Sequence, residues 1–292
     1  MSSYSKIEIS GPDIIIKDIQ NFELRDIFDC GQAFRWNKTE SGSYIGVAFG
    51  RVLEVRKREN DVIFYDCSME EFNNTWIEYF DLERDYSKII EELSVDETLK
   101  MACDFGKGMR LLQQEPFELT ISFIISANNQ IPRIKRSIER ISERWGRKIY
   151  YKGNEYYAFP TVDELREAGI EELEQCGVGF RAKYIYETIQ RVLSDKDILN
   201  RIKSLDDDGC HKELMEFKGI GPKVADCIML FSMQKYSAFP VDVWVKRAMQ
   251  HFYVAPDVTL PKIRKYGREK FGELGGFAQQ YLFYYARENN IL

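Results

Sequence analysis

The chain has 292 residues, of which 44% are hydrophobic and 30% charged, with 8 Pro and 19 Gly. That composition is globular and leaves room for one large domain or two, and it excludes collagen-like and disordered chains. No apolar run approaches the roughly 20 residues of a membrane-spanning helix. The start, Met1 to Ile9, shows no apolar segment of a secretory signal, so an intracellular protein is expected. The net charge of −6 argues against a nucleic-acid partner until its distribution is read. Residues 1–115 carry 14 Lys+Arg against 23 Asp+Glu, a net of −9, whereas 116–292 carry 27 against 24, a net of +3. Within the second part, 131–148 (IPRIKRSIERISERWGRK) holds seven basic and two acidic residues. Local field governs phosphate contact. A solvated helix face with i,i+4 ion pairs explains the same stretch, and on charge alone is the better explanation.

In chain order, the first 70 residues read as β-rich. Asp13 to Lys17 is a short apolar run, and Tyr44 to Phe49, Val52 to Lys57 and Val62 to Tyr65 carry β-branched and aromatic residues. Gly50-Arg51 and Glu59-Asn60-Asp61 mark turns between them, giving an antiparallel sheet. From 69 to 101 the spacing becomes helical. Phe72, Trp76, Tyr79 and Phe80 form a stripe that suits a core better than a stacking surface. From Pro116 onward the pattern is helical nearly throughout: Pro116 suits a first turn, Ile131 to Trp145 repeats apolar residues, and Thr161 to Glu164 predicts a capping box before a short helix ending at Gly169. The expected fold is α+β, with an antiparallel domain over 1–115 and a helical body over 116–292.

Six cysteines (30, 67, 103, 176, 210 and 227) stand without a CxxC pair, and the two histidines, His211 and His251, have no partner at ligand spacing. A disulfide framework and a structural zinc site are both unsupported.

The stretch Leu214 to His251 is the most informative. Gly219-Ile220-Gly221 lies between two helical segments, so neither a dinucleotide fingerprint nor a P-loop applies. A glycine turn with bared amides before a helix can hold phosphate oxygens, although an ordinary helical hairpin needs the same residues. Lys223 stands at the second position of the following helix, where the dipole disfavours a cation. That placement makes little sense for stability and suits an amine tuned toward its nucleophilic form. Asp242, in Phe239-Pro-Val-Asp-Val243, suits a helix N-cap, and a cap also fixes a carboxylate where a reacting sugar could meet it.

LMEFKGIGPKVADC followed by FPVDV resembles the helix-hairpin-helix and Gly/Pro-Asp motif of the DNA glycosylase superfamily. Four further stretches resemble the eukaryotic-type 8-oxoguanine DNA glycosylase/AP lyases: CGQAFRW (30–36), SANNQIPR (126–133), GVGFRA (177–182) and FAQQYLF (277–283). They span residues 30 to 283 in the family's order. The resemblance implies a base-excision repair enzyme that flips 8-oxoguanine out of duplex DNA, with the hairpin and catalytic loop at about 212–242. Lys223 would attack C1′ and form a Schiff base, and Asp242 would stabilise the cationic sugar. The carbonyl of Gly31 would accept the N7–H that 8-oxoguanine has and guanine lacks, with Cys227 and Phe283 packing on the base and Gln279 bonding its edge. Asn128 would fill the emptied space, Arg133 and Arg181 would bond the orphaned cytosine, and Phe180 would wedge the duplex. Gly219 and Gly221 would meet phosphate, and the carbonyls of Met215, Phe217 and Ile220 would hold a cation. No cofactor is required for the chemistry, and the iron–sulfur cluster of another branch is excluded, because no cysteine follows Cys227. A monomer acting on DNA with 8-oxoguanine opposite cytosine is the expectation.

Two positions depart from the family pattern. Phe180 stands where a tyrosine wedge is usual, and Trp244 where a phosphate-contacting histidine is common. The alternatives are a related glycosylase for another lesion and a non-catalytic helix-hairpin-helix DNA-binding protein.

Overall fold

The computed structural model describes residues 3–291. Six strands form one antiparallel sheet: β1 (Lys6–Ser10), β2 (Asp13–Lys17), β3 (Trp36–Lys38), β4 (Tyr44–Ala48), β5 (Arg51–Arg58) and β6 (Asp61–Tyr65), in the order β1-β2-β6-β5-β4-β3. The turn between β4 and β5 falls one residue earlier than the sequence suggests. Phe49 and Gly50 take left-handed φ values of 51° and 68°, as a two-residue hairpin with mirror-image turn geometry needs, and Arg51 opens β5.

The aromatic stripe is core, as expected. Phe72, Trp76, Tyr79 and Phe80 are at most 2% exposed, and they pack under the sheet with Phe28, Trp36 and Phe64. Phe72–Trp76 winds as a π-helical turn between short α-helical turns. Helices Tyr86–Leu93 and Glu97–Phe105 start on Asp85 and Asp96, whose carboxylates accept from the first free amides.

Most of the remaining chain is helical, and a second core lies among its helices. Helix Pro116–Ser126 opens on its proline as predicted. Two local readings need correction. The reciprocal bonds between Thr161 and Glu164 form, but the segment coils as turns rather than as a helix. A β-hairpin, β7 (Lys148–Tyr151) with β8 (Asn154–Tyr157), interrupts the helical part. Its turn, Lys152-Gly153, has φ values of 47° and 79°. The hairpin reaches back to the sheet: Lys152 pairs with Glu54 at 2.8 Å and Arg147 donates to the Gly50 carbonyl at 2.8 Å.

Two buried arginines bind the layers together. Arg110 is fully buried and donates to the carbonyls of Asn21, Asp81 and Gln20 at 2.8–3.1 Å, with its guanidinium 4.5 Å from the Tyr86 ring centroid. A buried charge satisfied by so many acceptors fixes the path of residues 20–21 against 81–86, and replacing it would orphan three carbonyls. Arg35 donates to the Tyr157 carbonyl at 2.5 Å and lies 3.8 Å from both Glu118 and Glu139. Burial pushes the Glu118 carboxyl up to about 7 against the pull of Arg35. A cavity of about 10 Å³, the room one water takes, lies among Arg35, Glu115, Glu118 and Ser122.

Candidate active site

Helix Asp207–Met215 ends in a tight turn, and helix Pro222–Ser232 begins directly after it. Gly219 takes φ 82°, and a Cβ there would lie 2.7 Å from the Tyr184 side chain, so both conformation and space require glycine. Gly221 is the N-cap of the second helix and Pro222 its first residue. Lys223 thus sits in the first turn, and its ammonium lies 5.3 Å from the centroid of Phe123. Every residue from Val224 to Ser232 is buried, because the helix runs through the middle of the body.

Asp242 caps helix Val243–Phe252 and accepts from the amides of Trp244 and Val245 at 2.9 and 2.8 Å. Burial raises its pKa, while the Val245 amide, Lys223 and the Trp244 amide oppose that rise. The rigid cap therefore presents a largely desolvated carboxylate toward an amine.

One cavity of about 50 Å³ joins these groups. It is lined by Lys223, Asp242, Gly31, Cys227, Gln279 and Phe283, together with Phe123, Phe231, Pro240 and Gln280. Six predicted residues from four separated stretches of chain converge there. The molecule has larger grooves, of about 480 and 640 Å³, so chemistry rather than size marks this one. Gly31 adopts φ 84°, with the Phe283 ring edge and Arg287 packed on it. Gln280 donates to the carbonyl of neighbouring Cys30 at 3.0 Å. Gln279 is buried and its Oε1 has no partner among the described residues. An orphaned buried acceptor on a pocket wall is costly unless something fills the pocket. Burial pushes the Cys227 thiol up to about 11, so it stays protonated and acts as an apolar wall. Sequence reading missed Phe123, Phe231 and Gln280. The first two read as ordinary helix core, and no spacing distinguishes them.

A second group of predicted residues surrounds the loop before helix Ile131–Trp145. Asn128 takes a left-handed φ of 49°, which asparagine tolerates. Arg133 is exposed on the first turn of that helix, and Phe180 projects with 67% of its surface exposed. Arg181 is different. It is buried, and its guanidinium donates to the carbonyls of Ala127, Asn128 and Val178, so here it holds the Asn128 loop. Its plane also lies 4.5 Å from the Phe180 ring centroid. Trp244 is half-buried, with Arg247 over its ring.

A capping aspartate and a hairpin lysine in one pocket, on a helical body carrying a short antiparallel sheet, define a helix-hairpin-helix base-excision glycosylase. The chain matches the models of two families: "8-oxoguanine DNA glycosylase, N-terminal domain" over residues 14–120, and "HhH-GPD superfamily base excision DNA repair protein" over residues 121–273. It belongs to the 8-oxoguanine DNA glycosylase family of that superfamily. The 8-oxoguanine glycosylase/lyase of Clostridium acetobutylicum, solved with double-stranded DNA containing cytosine opposite 8-oxoG, is 60% identical, with a TM-score of 0.97 over 99% of this chain and 100% of that one. A probable N-glycosylase/DNA lyase of Methanothermobacter thermautotrophicus is 37% identical over 74% of this chain and 75% of its own. The N-glycosylase/DNA lyase of Saccharomyces cerevisiae is 31% identical over 79% and 68%.

Proposed function

We propose that this chain excises 8-oxoguanine from duplex DNA and then cleaves the strand by β-elimination, with Lys223 as nucleophile. The observation that carries the reading is the single cavity in which Lys223, Asp242, Gly31 and Gln279 meet. The base must leave the stack to reach it. The Lys223 amine adds to C1′ of the sugar as the glycosidic bond breaks, and the base leaves with the bonding electrons. Loss of the amine proton and ring opening then give the Schiff base. Asp242 lies where it can stabilise the positive charge that develops on the sugar, and low local dielectric strengthens that effect. Loss of a C2′ proton from the Schiff base expels the 3′ phosphate.

Recognition follows from the walls. No hydrogen bond among the described residues reaches the Gly31 carbonyl, which leaves it as an acceptor for the lesion's N7–H. Guanine N7 would face that acceptor with a lone pair. Gln279 takes the base edge, and Cys227 and Phe283 take its faces. Asn128, Arg133, Phe180 and Arg181 form the edge of the site that meets the opposite strand, and the amides of Gly219 and Gly221 meet phosphate. Among the described residues no backbone amide outside the helix donates to the C=O of Met215, the last residue of its helix. Together with the carbonyls of Phe217, which also accepts from the Ile220 amide at 3.2 Å, and of Ile220, it would hold a monovalent or divalent cation, which would supply positive charge for a phosphate and no chemistry. A monomer inside the cell, acting on duplex DNA with cytosine opposite the lesion, completes the reading.

Borohydride trapping tests it. A duplex with one 8-oxoguanine should yield a covalent adduct with the native protein and none with Lys223→Gln, while that variant still binds. An adduct on the Gln variant would place the chemistry on another amine.

A further inference from the structure

A residue outside the pocket packs against one of its walls. Helix Gly275–Glu288 presents Gln279, Phe283 and Arg287 at i, i+4 and i+8, one above another on the same face. Gln279 and Phe283 line the cavity and Arg287 stands behind them. Its Nη2 donates to the carbonyl of Asp29 at 2.5 Å. Its guanidinium carbon lies 5.3 Å from the centroid of the Phe283 ring. Its Nη1 lies 3.2 Å from the point a Cβ on Gly31 would occupy, beside the Phe283 ring edge at 3.3 Å. Glu288 pairs with the same guanidinium at 2.9 Å.

We infer that Arg287 is a positioning residue for lesion choice: it ties the Asp29–Gly31 turn to the Phe283 ring and so fixes the distance between the carbonyl that tests N7 and the ring that stacks on the base. The turn is also held by the Asp29 amide donating to the Arg25 carbonyl at 2.9 Å, by the Tyr44 hydroxyl donating to the Asp29 carboxylate at 2.8 Å and by Gln280 donating to the Cys30 carbonyl, but none of these bonds involves the Phe283 ring. An acceptor discriminates a purine carrying N7–H from one without it only when it is held at hydrogen-bond distance, since a shift of a few tenths of an ångström weakens both the attraction and the lone-pair repulsion. The guanidinium suits the task, because its flat face rests on an aromatic ring while its edge donates to a carbonyl. Its buried Nη1 has no partner among the described residues.

This inference rests on the proposed function, and the experiment separates the two. Affinity is measured for duplexes with 8-oxoguanine or guanine at one position, together with β-elimination on a preformed abasic site, which needs no base recognition. Arg287→Leu is expected to shrink the 8-oxoguanine preference by about tenfold, the worth of one hydrogen bond from a charged group. Abasic-site cleavage should stay within about twofold of native. Arg287→Lys keeps a donor for Asp29 but loses the flat face, and should lose a smaller part of the preference. A native preference retained in Arg287→Leu overturns the inference, and so does full preference in Arg287→Lys. An equal loss of abasic-site cleavage and preference also overturns it, by showing a merely structural role. If the native protein itself shows no preference, the functional reading fails first.

Discussion

Asp242 serves two purposes that one substitution can separate. As an N-cap it accepts from two amides, at 2.9 and 2.8 Å. Asp242→Ala orphans both, and with loss of the cap should cost about 2 kcal/mol of stability. Asp242→Asn keeps an acceptor of the same shape, and asparagine caps about as well as aspartate. It loses the favourable charge at the helix N-terminus, about 0.3–1 kcal/mol, but it also removes a carboxylate that burial disfavours. The variant should therefore match the native stability to within about 1 kcal/mol. The pH dependence has a definite sign. The folded pKa of Asp242 is raised, so the folded state holds this proton more tightly than the unfolded chain. Its contribution is most favourable below the unfolded pKa and is lost as pH rises through the folded one. Asp242→Asn should thus gain on the native protein at neutral pH, and the gain should vanish in acid. Activity should behave oppositely. Removing a preorganised charge from the reacting centre commonly lowers the rate by about 10²–10³-fold. Single-turnover excision and denaturant unfolding of the three proteins provide the comparison. Native activity in Asp242→Asn would show that only the cap matters and would refute the electrostatic role. Equal instability of the Asn and Ala variants would refute the cap.

Two further outcomes are expected. Burial raises Glu118 to about 7, above the ordinary glutamate value of about 4.3. Native stability should therefore fall between about pH 4 and pH 7 by up to about 3 kcal/mol more than that of Glu118→Gln, and parallel pH profiles would show that Arg35 neutralises the site. Arg133 is exposed whereas Arg181 braces the Asn128 loop, so their losses should differ. Arg133→Met should reduce the preference for cytosine opposite the lesion by about 1–3 kcal/mol with little change in stability, measured by excision opposite all four bases. Arg181→Met should also lower the melting temperature; identical behaviour of the two variants would remove the distinction.

The local chemistry was legible in the sequence because it depends on residue types at short spacing. Gly219, Gly221 and Pro222 specify a turn and a helix start wherever they occur, and Lys223 and Asp242 contradict or exploit helix-end electrostatics in a way a linear reading detects. The β4–β5 and β5–β6 hairpins were legible for the same reason, the first to within one residue at Phe49-Gly50, whereas strands β1 and β3 were not read from the sequence. The β7–β8 hairpin was not, since its short Tyr-rich strands are tied to the sheet through Lys152 and Arg147 rather than through an apolar face. Tertiary structure alone decided which residues share the pocket. Gly31 and Gln279 are 248 residues apart in the chain, and Phe123 and Phe231 read as core until the packed helices set them beside Lys223 in the wall of one cavity. It also separated Arg181 from Arg133, and it set Arg287 behind Phe283. Burial and hydrogen-bond partners are properties of the packed chain, and no periodicity encodes them.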